Sequence, residues 1–544
     1  MDESNAEDGT DGGGGPHVEW REWGPDAFAA AERAGKPILL SLAVPWSPEC
    51  AEMDATTYSE PRIAANVNEG FVPVRVDADR HPRIRDRYNM GGFPSTVFLT
   101  PSGEVISGAT FLGIDGFRGI LDTVRETWDM KGESAGSIPR ALQGEQPPGG
   151  TLSTRVEELM IEQLLAAFDD EFGGWGSDVK FPLPATIEFA LVRARDQATR
   201  TLEAVRTHLF DTYDGGFYRY ATNRDWGNPR REKLLDDNAA LVRAFAHGYR
   251  YTGEEAYREA ADRTVEYLTT TLWTGDGFAA SQAGDDTYYR LEATERQDAD
   301  PPRVDGTVLT DRNALAVDGL LTFHAYTGDE RARRYAERAR DAVVGRVDAD
   351  GAVAHLEDGD ERGALLDQAR TLAGLTTAWE VLGESGPARA VADWTLDNLR
   401  TDDGALFDGP VGETALLSEP LYPLDYTAET ADALLDLSLL TGEERYRRAA
   451  REAVEGYADA ADRMGVEAAR YATVAARVLE PQAVRVGTPA GSDLHRAALR
   501  LADHESVVVP DADTGGEAVL VVDGEERGRA GTPAELESLL TDAA

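Results

Sequence analysis

Apolar and polar residues along this chain follow two different periods, and the change of period divides it. From Val18 the pattern is mixed. Pro25 to Ala34 has helical spacing and stops at Gly35, and Ile38 to Leu42 is a short apolar run of the kind a buried strand shows. A helical stretch follows from Glu49 to Tyr58. A second apolar run, Phe71-Val-Pro-Val-Arg-Val76, ends in Asp77 and predicts another buried strand. A short helix is predicted near Pro82–Tyr88. Thr96–Leu99 and Val105–Ser107 flank the turn Pro101-Ser102-Gly103 and predict a hairpin. An amphipathic helix, Asp115–Trp128, closes the segment, so that from the first strand onward the order is β-α-β-α-β-β-α.

Gly132 to Leu152, with Pro147-Pro148-Gly149-Gly150, reads as a linker, and beyond it the pattern is helical for more than 300 residues. A repeat shows through. Asp236-Asp-Asn-Ala-Ala-Leu runs to Thr252-Gly253, Asp311-Arg-Asn-Ala-Leu-Ala to Thr327-Gly328, and Asp425-Tyr-Thr-Ala-Glu-Thr to Thr441-Gly442. In each the leading Asp stands 17 residues before the Gly; a weaker copy from Asp367-Gln368 to Gly383 has 16. Each unit predicts a helix capped by the Asp, closed by the Gly and followed at once by a second helix. About twelve helical segments between Ser153 and Leu479 make six hairpins. Their irregular period predicts a closed (α/α)6 toroid, since an open solenoid would keep a steadier one. After Pro481, strand-like Ala483–Val486, Ser506–Val509 and Val519–Val522 accompany helices at Asp493–Ala502 and Pro533–Leu540, a small α/β lobe. The expected organisation is an acidic, Gly-rich disordered tail (1–17), an α/β domain (18–131), the linker (132–152), the all-α toroid (153–480) and the lobe (481–544).

The first domain's order is that of thioredoxin-type folds, which hold a Cys-x-x-Cys pair where a strand turns into a helix. Here that turn reads Trp46-Ser47-Pro48-Glu49-Cys50, and Cys50 is the chain's only cysteine. Disulfide exchange needs a second thiol to resolve the mixed disulfide, so no intramolecular cycle is available. Ser47 fits a helix N-cap, with Pro48 at the first helical position and Cys50 donating its backbone N–H to Ser47. The helix N-terminus favours the thiolate, while Glu49 and Glu52 oppose it. Cys50 is thus either a lone reactive thiol, the monothiol redox reading, or the remnant of a lost pair. Pro94 occupies the place of the fold's cis-proline. With Trp46 it marks a surface where an extended peptide or protein segment could lie.

Charge narrows the functions further. The chain carries 99 Asp and Glu against 54 Lys and Arg, a net charge of -45, spread over every segment. The pattern is that of a salt-adapted (halophilic) acidic protein, soluble where molar salt shortens the Debye length to ~3 Å. No basic stripe suits nucleic acid. No run approaches about 18 apolar residues and the start of the chain is not signal-like, so no membrane partner is expected. A single cysteine suits a reducing cytoplasm, the expected location.

The residues quoted so far, with several more, resemble a known family: the thioredoxin-domain-containing proteins typified by YyaL and by the spermatogenesis-associated protein, in which a thioredoxin-like unit precedes an (α/α)6 toroid. Gly92-Phe93-Pro94-Ser95-Thr96-Val97-Phe98-Leu99-Thr100-Pro101-Ser102-Gly103 matches one family signature. Gly173-Gly174-Trp175-Gly176 with Lys180-Phe181-Pro182, Gly215-Gly216-Phe217-Tyr218-Arg219-Tyr220, and Glu232-Lys233-Leu234-Leu235-Asp236-Asp237-Asn238 match others. Ser281-Gln282 with Asp285, and Leu309-Thr310 with Asn313, fall on two more. The departures are Ser47 for a cysteine, and Tyr218 and Arg230 where the family has histidines. The toroid is also similar to those of sugar epimerases and six-hairpin glycosidases.

In such a ring the inner helices run parallel and their N-termini gather on one rim. Polar and aromatic residues there suit a carbohydrate-like or other polar small molecule, because Asp, Asn, Gln and Arg offer paired hydrogen bonds and Trp and Tyr stack on sugar faces. The candidates are Trp175, Lys180, Tyr218, Arg219, Tyr220, Glu232, Lys233, Asp237, Asn238, Gln282, Asp285 and Asn313. For each leading Asp, simple capping is the competing reading. Binding without turnover is the first expectation, and a carbohydrate isomerase or hydrolase the second. For catalysis the sequence nominates only Cys50, Glu232, Asp237 and Asp285 as candidates. A neutral-pH base would be His208, His247, His324 or His355. His247 falls about 180° round its helix from Asn238, and His324 lies ~16 Å along from Asn313, so both read as core or inter-helix residues. Neither a metal site nor a cofactor is expected: no His/Cys cluster suits zinc, and no phosphate loop is present.

Overall fold

The computed structural model describes residues 17–143, 146–359 and 361–543. The tail Met1–Pro16 therefore lies outside the described residues. The chain divides into two compact units, one running to Gln143 with Gly412–Glu419, the other comprising Gly144–Val411 and Pro420–Ala544.

In the first unit α1 (Pro25–Ala34) leads to β1 (Ile38–Ala43), α2 (Pro48–Ala55), α3 (Pro61–Gly70) and β2 (Val72–Asp77). Then come α4 (Pro82–Tyr88), β3 (Ser95–Leu99), β4 (Val105–Ala109) and α5 (Ile114–Lys131). The sheet order is β2-β1-β3-β4, with β1 parallel to β2 and antiparallel to β3, and β3 antiparallel to β4. This is a thioredoxin-like fold. Strand β1 is apolar at every position but the buried Ser41 because it is central and covered on both faces. Leu39 and Phe98 meet Met53, Phe117 and Leu121 in the core. The sequence reading missed α3, although Pro61 opens it and Ile63, Ala64 and Val67 give it a buried stripe. Part of the stretch read as linker is held: Ser137 and Val105 exchange backbone hydrogen bonds at the edge of β4. Gly412–Glu419 joins this unit through Arg87, whose guanidinium donates to the carbonyls of Leu416 and Glu419, each at 2.7 Å.

The second unit is the (α/α)6 toroid. Its helices are α6 (Arg155–Ala167), α7 (Pro184–Arg193), α8 (Arg195–His208), α9 (Leu235–Thr252) and α10 (Glu255–Tyr267). After the short α11 (Asp286–Tyr289) and α12 (Ala293–Arg296) come α13 (Thr310–Thr327), α14 (Glu330–Val344), α15 (Leu365–Leu382) and α16 (Ala388–Asn398). The ring ends with α17 (Leu424–Thr441), α18 (Glu444–Glu455) and α19 (Ala469–Leu479). Helices α7, α9, α13, α15, α17 and α19 form an inner ring, each packed on the next, with α19 returning to α7. The others surround it. The first outer helix, α6, packs on the last inner one, α19, so the ring is closed by its two ends. Short strands decorate the side where inner helices begin: β5 (Tyr220–Ala221) with β6 (Pro229–Arg230), and β7 (Lys233–Leu234), β8 (Ser281–Gln282) and β9 (Val304–Asp305) in one small sheet.

The repeated Gly ends α9, α13, α15 and α17 in the left-handed conformation, with φ between 69° and 77°. The repeated Asp does not cap. The N-cap positions are Leu234, Leu309, Ala364 and Pro423, none making a side-chain cap bond, and the Asp sits inside the first turn. Small residues set the spacing of the inner helices. A Cβ on Gly319 would stand 2.5 Å from the carbonyl oxygen of Ala239, and one on Gly374 2.8 Å from that of Ala314.

The C-terminal lobe consists of β10 (Gln482–Val486), α20 (Asp493–Leu501), β11 (Val507–Val509), β12 (Ala518–Val522), β13 (Glu525–Ala530) and α21 (Pro533–Ala543). Its sheet order is β11-β10-β12-β13, with β10 parallel to β11, antiparallel to β12, and β12 antiparallel to β13. Strand for strand this is the arrangement of the first unit's sheet. Val507 and Val509 pack with Leu440 and Ala483, so the lobe shares an apolar contact with α17 of the ring. No helix among the described residues is long and apolar enough to cross a membrane.

Replacing Gly319 by Ala gains helix propensity of ~1 kcal/mol but drives a methyl into a neighbouring backbone, where overpacking costs about 1–3 kcal/mol. The expected outcome is a lower urea midpoint with an unchanged m-value, measured by circular dichroism.

Candidate functional site

Most of the signature residues turn out to build the loops at the start of the inner helices. Asn238 accepts the Phe217 N–H at 2.6 Å on its side-chain oxygen and donates to the carbonyls of Phe217 and Leu234 at 3.2 and 2.8 Å. Asn313 does the same for Phe278 and Leu309, at 2.8, 3.0 and 2.9 Å. Gln368 serves Val353 N–H and Gly351 O at 2.6 and 3.2 Å. An amide is the side chain that offers a donor and an acceptor side by side, so it can pair with a strand residue as a backbone group would. Lys180 and Lys233 hold the Gly-Gly turns. Lys180 donates to Asp169 at 2.9 Å and to the carbonyls of Gly173 and Gly176 at 3.1 and 2.8 Å. Lys233 donates to Asp211 at 2.8 Å and to Gly215 O at 2.7 Å. Burial pushes the Lys233 ammonium below its ordinary range, with Asp211 acting against that shift. Against its own burial, Asp211 is held below the usual carboxylate range by Lys233.

Other candidates are likewise engaged within the fold. Gln282 accepts from the hydroxyls of Tyr267 and Tyr289 at 3.2 and 3.1 Å and donates to Pro302 O. Asp285 caps α11, accepting from Thr287 and Tyr288 N–H. Trp175 and Tyr218 are buried, Tyr218 edge-on to Tyr289. As ligand contacts these residues are expected to face a cleft; in the structure each holds a loop, a helix start or the core.

What remains lies along the N-terminal rim. Glu232, 1% exposed, stands 3.6 Å from Arg219 and 3.8 Å from Arg230. Asp236 and Asp237 lie in the first turn of α9, where the helix dipole favours negative charge. Arg312 of α13 is 3.7 Å from Asp236. Its neighbour Asp311 accepts from Arg370 of α15 at 3.0 Å, and Arg370 also reaches Glu429 of α17 at 3.0 Å. His355 places Nδ1 3.0 and 3.1 Å from the two oxygens of Asp367 and 3.9 Å from Asp311. Thus four consecutive inner helices contribute to one belt of charge. Burial, Asp236 and Glu232 push the Asp237 carboxyl up to about 7, against the pull of Arg219 and Arg312. Burial also raises Asp367, which His355 lowers and Asp311 raises. Tyr220, the last of the nominated residues, stacks on Phe181 with ring centres 4.5 Å apart, and the Arg219 guanidinium lies 5.5 Å from its ring.

Sequence reasoning did not single out His355 among the four histidines it named, read Asp311 and Asp367 as repeat starts and not as site residues, and missed Arg312. The available signals were the repeat copies beginning at Asp311 and, more weakly, at Asp367. Asp311, His355 and Asp367 are all buried and offer ligand atoms within 4.8 Å of one another. Such a trio can hold a divalent ion, but Arg370 already supplies positive charge at Asp311. An Asp carboxylate against Nδ1 is the arrangement that leaves Nε2 as the basic nitrogen of an imidazole.

Below the rim the ring's axis is also charged. Arg243 of α9 bridges Glu188 and Asp318 at 2.5 Å each, and Arg477 of α19 bridges Asp432 and Asp436. These groups line a cavity of about 140 Å³ with Glu380 and His247. The lobe segment Asp503–Val508 shares this cavity's wall: Val508 N–H donates to Glu380 at 2.8 Å, and the His504 and His247 rings lie 4.4 Å apart. His247 and His324 are inter-helix residues, bonded to the Tyr326 hydroxyl and the Asp329 carbonyl.

In the thioredoxin-like unit Ser47 caps α2, accepting the Cys50 N–H at 3.2 Å, and the Phe93–Pro94 peptide is cis. Trp46 is buried and donates to Asp79 at 2.8 Å. Burial pushes the Cys50 thiol up, against bonds from Val44 and Ser47, with Asp54 and Glu49 adding to the rise.

Comparison with known proteins places these features. Residues 15–143 match the family described as a protein of unknown function, DUF255. Human spermatogenesis-associated protein 20 is 28% identical over 295 residues, 47% of this chain and 37% of the human protein. The match thus spans little more than a third of that relative's length. Cellobiose 2-epimerase of Bacteroides fragilis is 31% identical over 144 residues, 26% of this chain and 33% of the enzyme. Among solved structures, cellobiose 2-epimerase from Spirochaeta thermophila is similar over 55% of this chain and 83% of its own, at 17% identity and a TM-score of 0.44.

Two outcomes are expected from these environments. A carboxyl raised by folding costs stability above its folded pKa, and the cost fades as pH falls toward the unfolded value of ~3.9. Asp237→Asn should therefore raise the melting temperature at pH 8, and the gain should shrink steadily as pH is lowered from 7 to 4. The Cys50 thiol should react with a disulfide reagent at neutral pH far more slowly in the folded than in the urea-unfolded protein, read by absorbance.

Proposed function

We propose that this chain shares the family of spermatogenesis-associated protein 20, to which it is similar over 47% of its length, and that its toroid binds a carbohydrate-like small molecule at the rim where the inner helices begin. The observation that carries this is the division of labour among the polar residues. Asn238, Asn313, Gln282, Lys180 and Lys233 meet needs of the backbone. Glu232, Asp237, Arg219, Arg312, His355 and Asp367 instead face one another as charged groups, buried or half-buried at the starts of α9, α13 and α15 and in the loops before them. Retaining charge there is costly unless something polar uses it. Carboxylates and guanidinium groups with Tyr220 beside them suit a polyhydroxylated ligand, and the partial likeness to a sugar epimerase agrees with that class. The thioredoxin-like unit, with one buried thiol, acts in this reading without dithiol–disulfide exchange.

Isomerisation of such a ligand is the second reading, favoured by the Asp367–His355 contact. A base that removes a proton beside a carbonyl works best with a pKa near neutrality, and a carboxylate at Nδ1 orients the imidazole for that task. Glu232 or Asp237 would then hold hydroxyl groups while the proton moves.

The test is a panel of mono- and disaccharides, cellobiose and mannose included, at millimolar concentration. Binding should raise the melting temperature and give a calorimetric isotherm, and Glu232→Gln should weaken it about tenfold or more, as loss of a charged hydrogen bond does. A panel with no hit, or equal affinity in Glu232→Gln, would sink the binding reading. For any hit, incubation in D2O should place deuterium next to the carbonyl carbon in wild type and not in His355→Gln. Binding without exchange leaves an accessory protein that turns nothing over.

A further inference from the structure

On the side of the ring where the inner helices end, a cleft of about 710 Å³ opens between the ends of α7, α9 and α19, the start of α8 and the lobe helix α20. Five arginines line it: Arg193, Arg195, Arg250, Arg477 and Arg500. Two are neutralised. Arg193 holds Glu157 at 2.5 Å and Glu505 at 2.5 and 2.9 Å, and Arg477 holds Asp432 and Asp436.

The other three have no carboxylate within ion-pair distance among the described residues. Arg195 donates only from Nε, to Leu191 O at 3.2 Å. Arg250 donates from Nη2 to the carbonyls of Leu501 and Ala502, and its Nε is buried without a hydrogen-bond partner. Arg500 is exposed and bonds to nothing among the described residues. The guanidinium groups of Arg195 and Arg250 flank one ring, that of Tyr251, at 5.1 and 4.5 Å from its centre. The facing acids are engaged or peripheral. Glu157 and Glu505 are on Arg193, Asp503 accepts from the Tyr251 hydroxyl at 2.7 Å and from Glu505 N–H at 2.9 Å, and Glu480 is exposed.

What stands out, in a chain that carries 99 acids against 54 bases, is that three guanidinium groups without carboxylates line one cleft. Helix ends account for one face of each: Arg250 lies in the last turn of α9, and Arg195 Nε donates to Leu191 O in the last turn of α7; neither contact uses the other nitrogens of the Arg195 guanidinium. We infer that this cleft is an anion site that takes a phosphorylated small molecule. Guanidinium forks arriving from α8, α9 and α20 suit a tetrahedral dianion better than a planar carboxylate, which one fork satisfies. The volume is that of a small-molecule site. The acidic surface elsewhere does not prevent binding, because at ~0.15 M salt charges more than ~8 Å away are largely screened, and only the lining counts. The site is independent of the saccharide reading of the opposite rim.

Inorganic phosphate and pyrophosphate are the probes, titrated by calorimetry into the full chain, with chloride and acetate at matched ionic strength as controls. Pyrophosphate should bind and raise the melting temperature where the controls do not. Arg195→Gln and Arg500→Gln should each weaken it about tenfold while staying folded by circular dichroism, since neither side chain holds a carboxylate. Glu232→Gln, at the other end of the ring, should bind pyrophosphate as wild type does. No binding, equal affinity in both arginine variants, an acetate response of the same size, or loss of binding in Glu232→Gln would each overturn the assignment.

Discussion

The toroid depends on a side-chain amide used as a piece of backbone. At the first turns of α9, α13 and α15, Asn238, Asn313 and Gln368 hydrogen-bond the strand-like residue that precedes each inner helix. The Gly-Gly turns, the caged lysines and the close approach at Gly319 and Gly374 all presuppose that anchoring, because it decides where each inner helix starts. Buried donors and acceptors left unmatched cost about 1–3 kcal/mol each, so an apolar residue at these places would release a loop as well as a contact. The family signatures are to a large extent a record of this constraint.

That explains what could and could not be read from the sequence. The period of the apolar positions, the left-handed Gly stops and the counting of hairpins were enough for the thioredoxin-like unit, the closed ring and the lobe. Helix α3 escaped because its stripe is short and lies next to a long apolar strand. The leading Asp was legible as a helix start and not as an uncapped residue of the first turn, since both place it within a residue or two of the same spot. The site was harder. A motif shows that a residue type is required and not what requires it, so Lys233 and Asn238 looked like ligand contacts, while His355, in a loop between repeats, had only its residue type to set it beside three other histidines. Only contacts separate the two uses.

Charge inside the ring follows a different rule from charge outside. The surface acids are numerous and solvated, whereas the axis pairs Arg243, Arg370 and Arg477 with carboxylates of the neighbouring inner helices. Pairs of this kind contribute little net stability against apolar alternatives, but they strongly disfavour any register in which one partner is left alone. They therefore act on which helix sits beside which. The lobe adds a layer to the same end of the axis with a sheet ordered like that of the first unit, so one strand arrangement appears twice in the chain, once with a cysteine in its first helical turn and once with none.

The closure of the ring by α6 and α19 has a consequence for how the chain comes into being. Gln163 donates to the carbonyl of Ala461, 298 positions later, and Thr186 to that of Val466. A nascent chain emerges at ~5–20 residues per second, so the earliest outer helix waits many seconds for its partner. Until then α6 must shelter its apolar stripe on something else, which makes the growing chain, more than the finished one, the state in which chaperones have a hold.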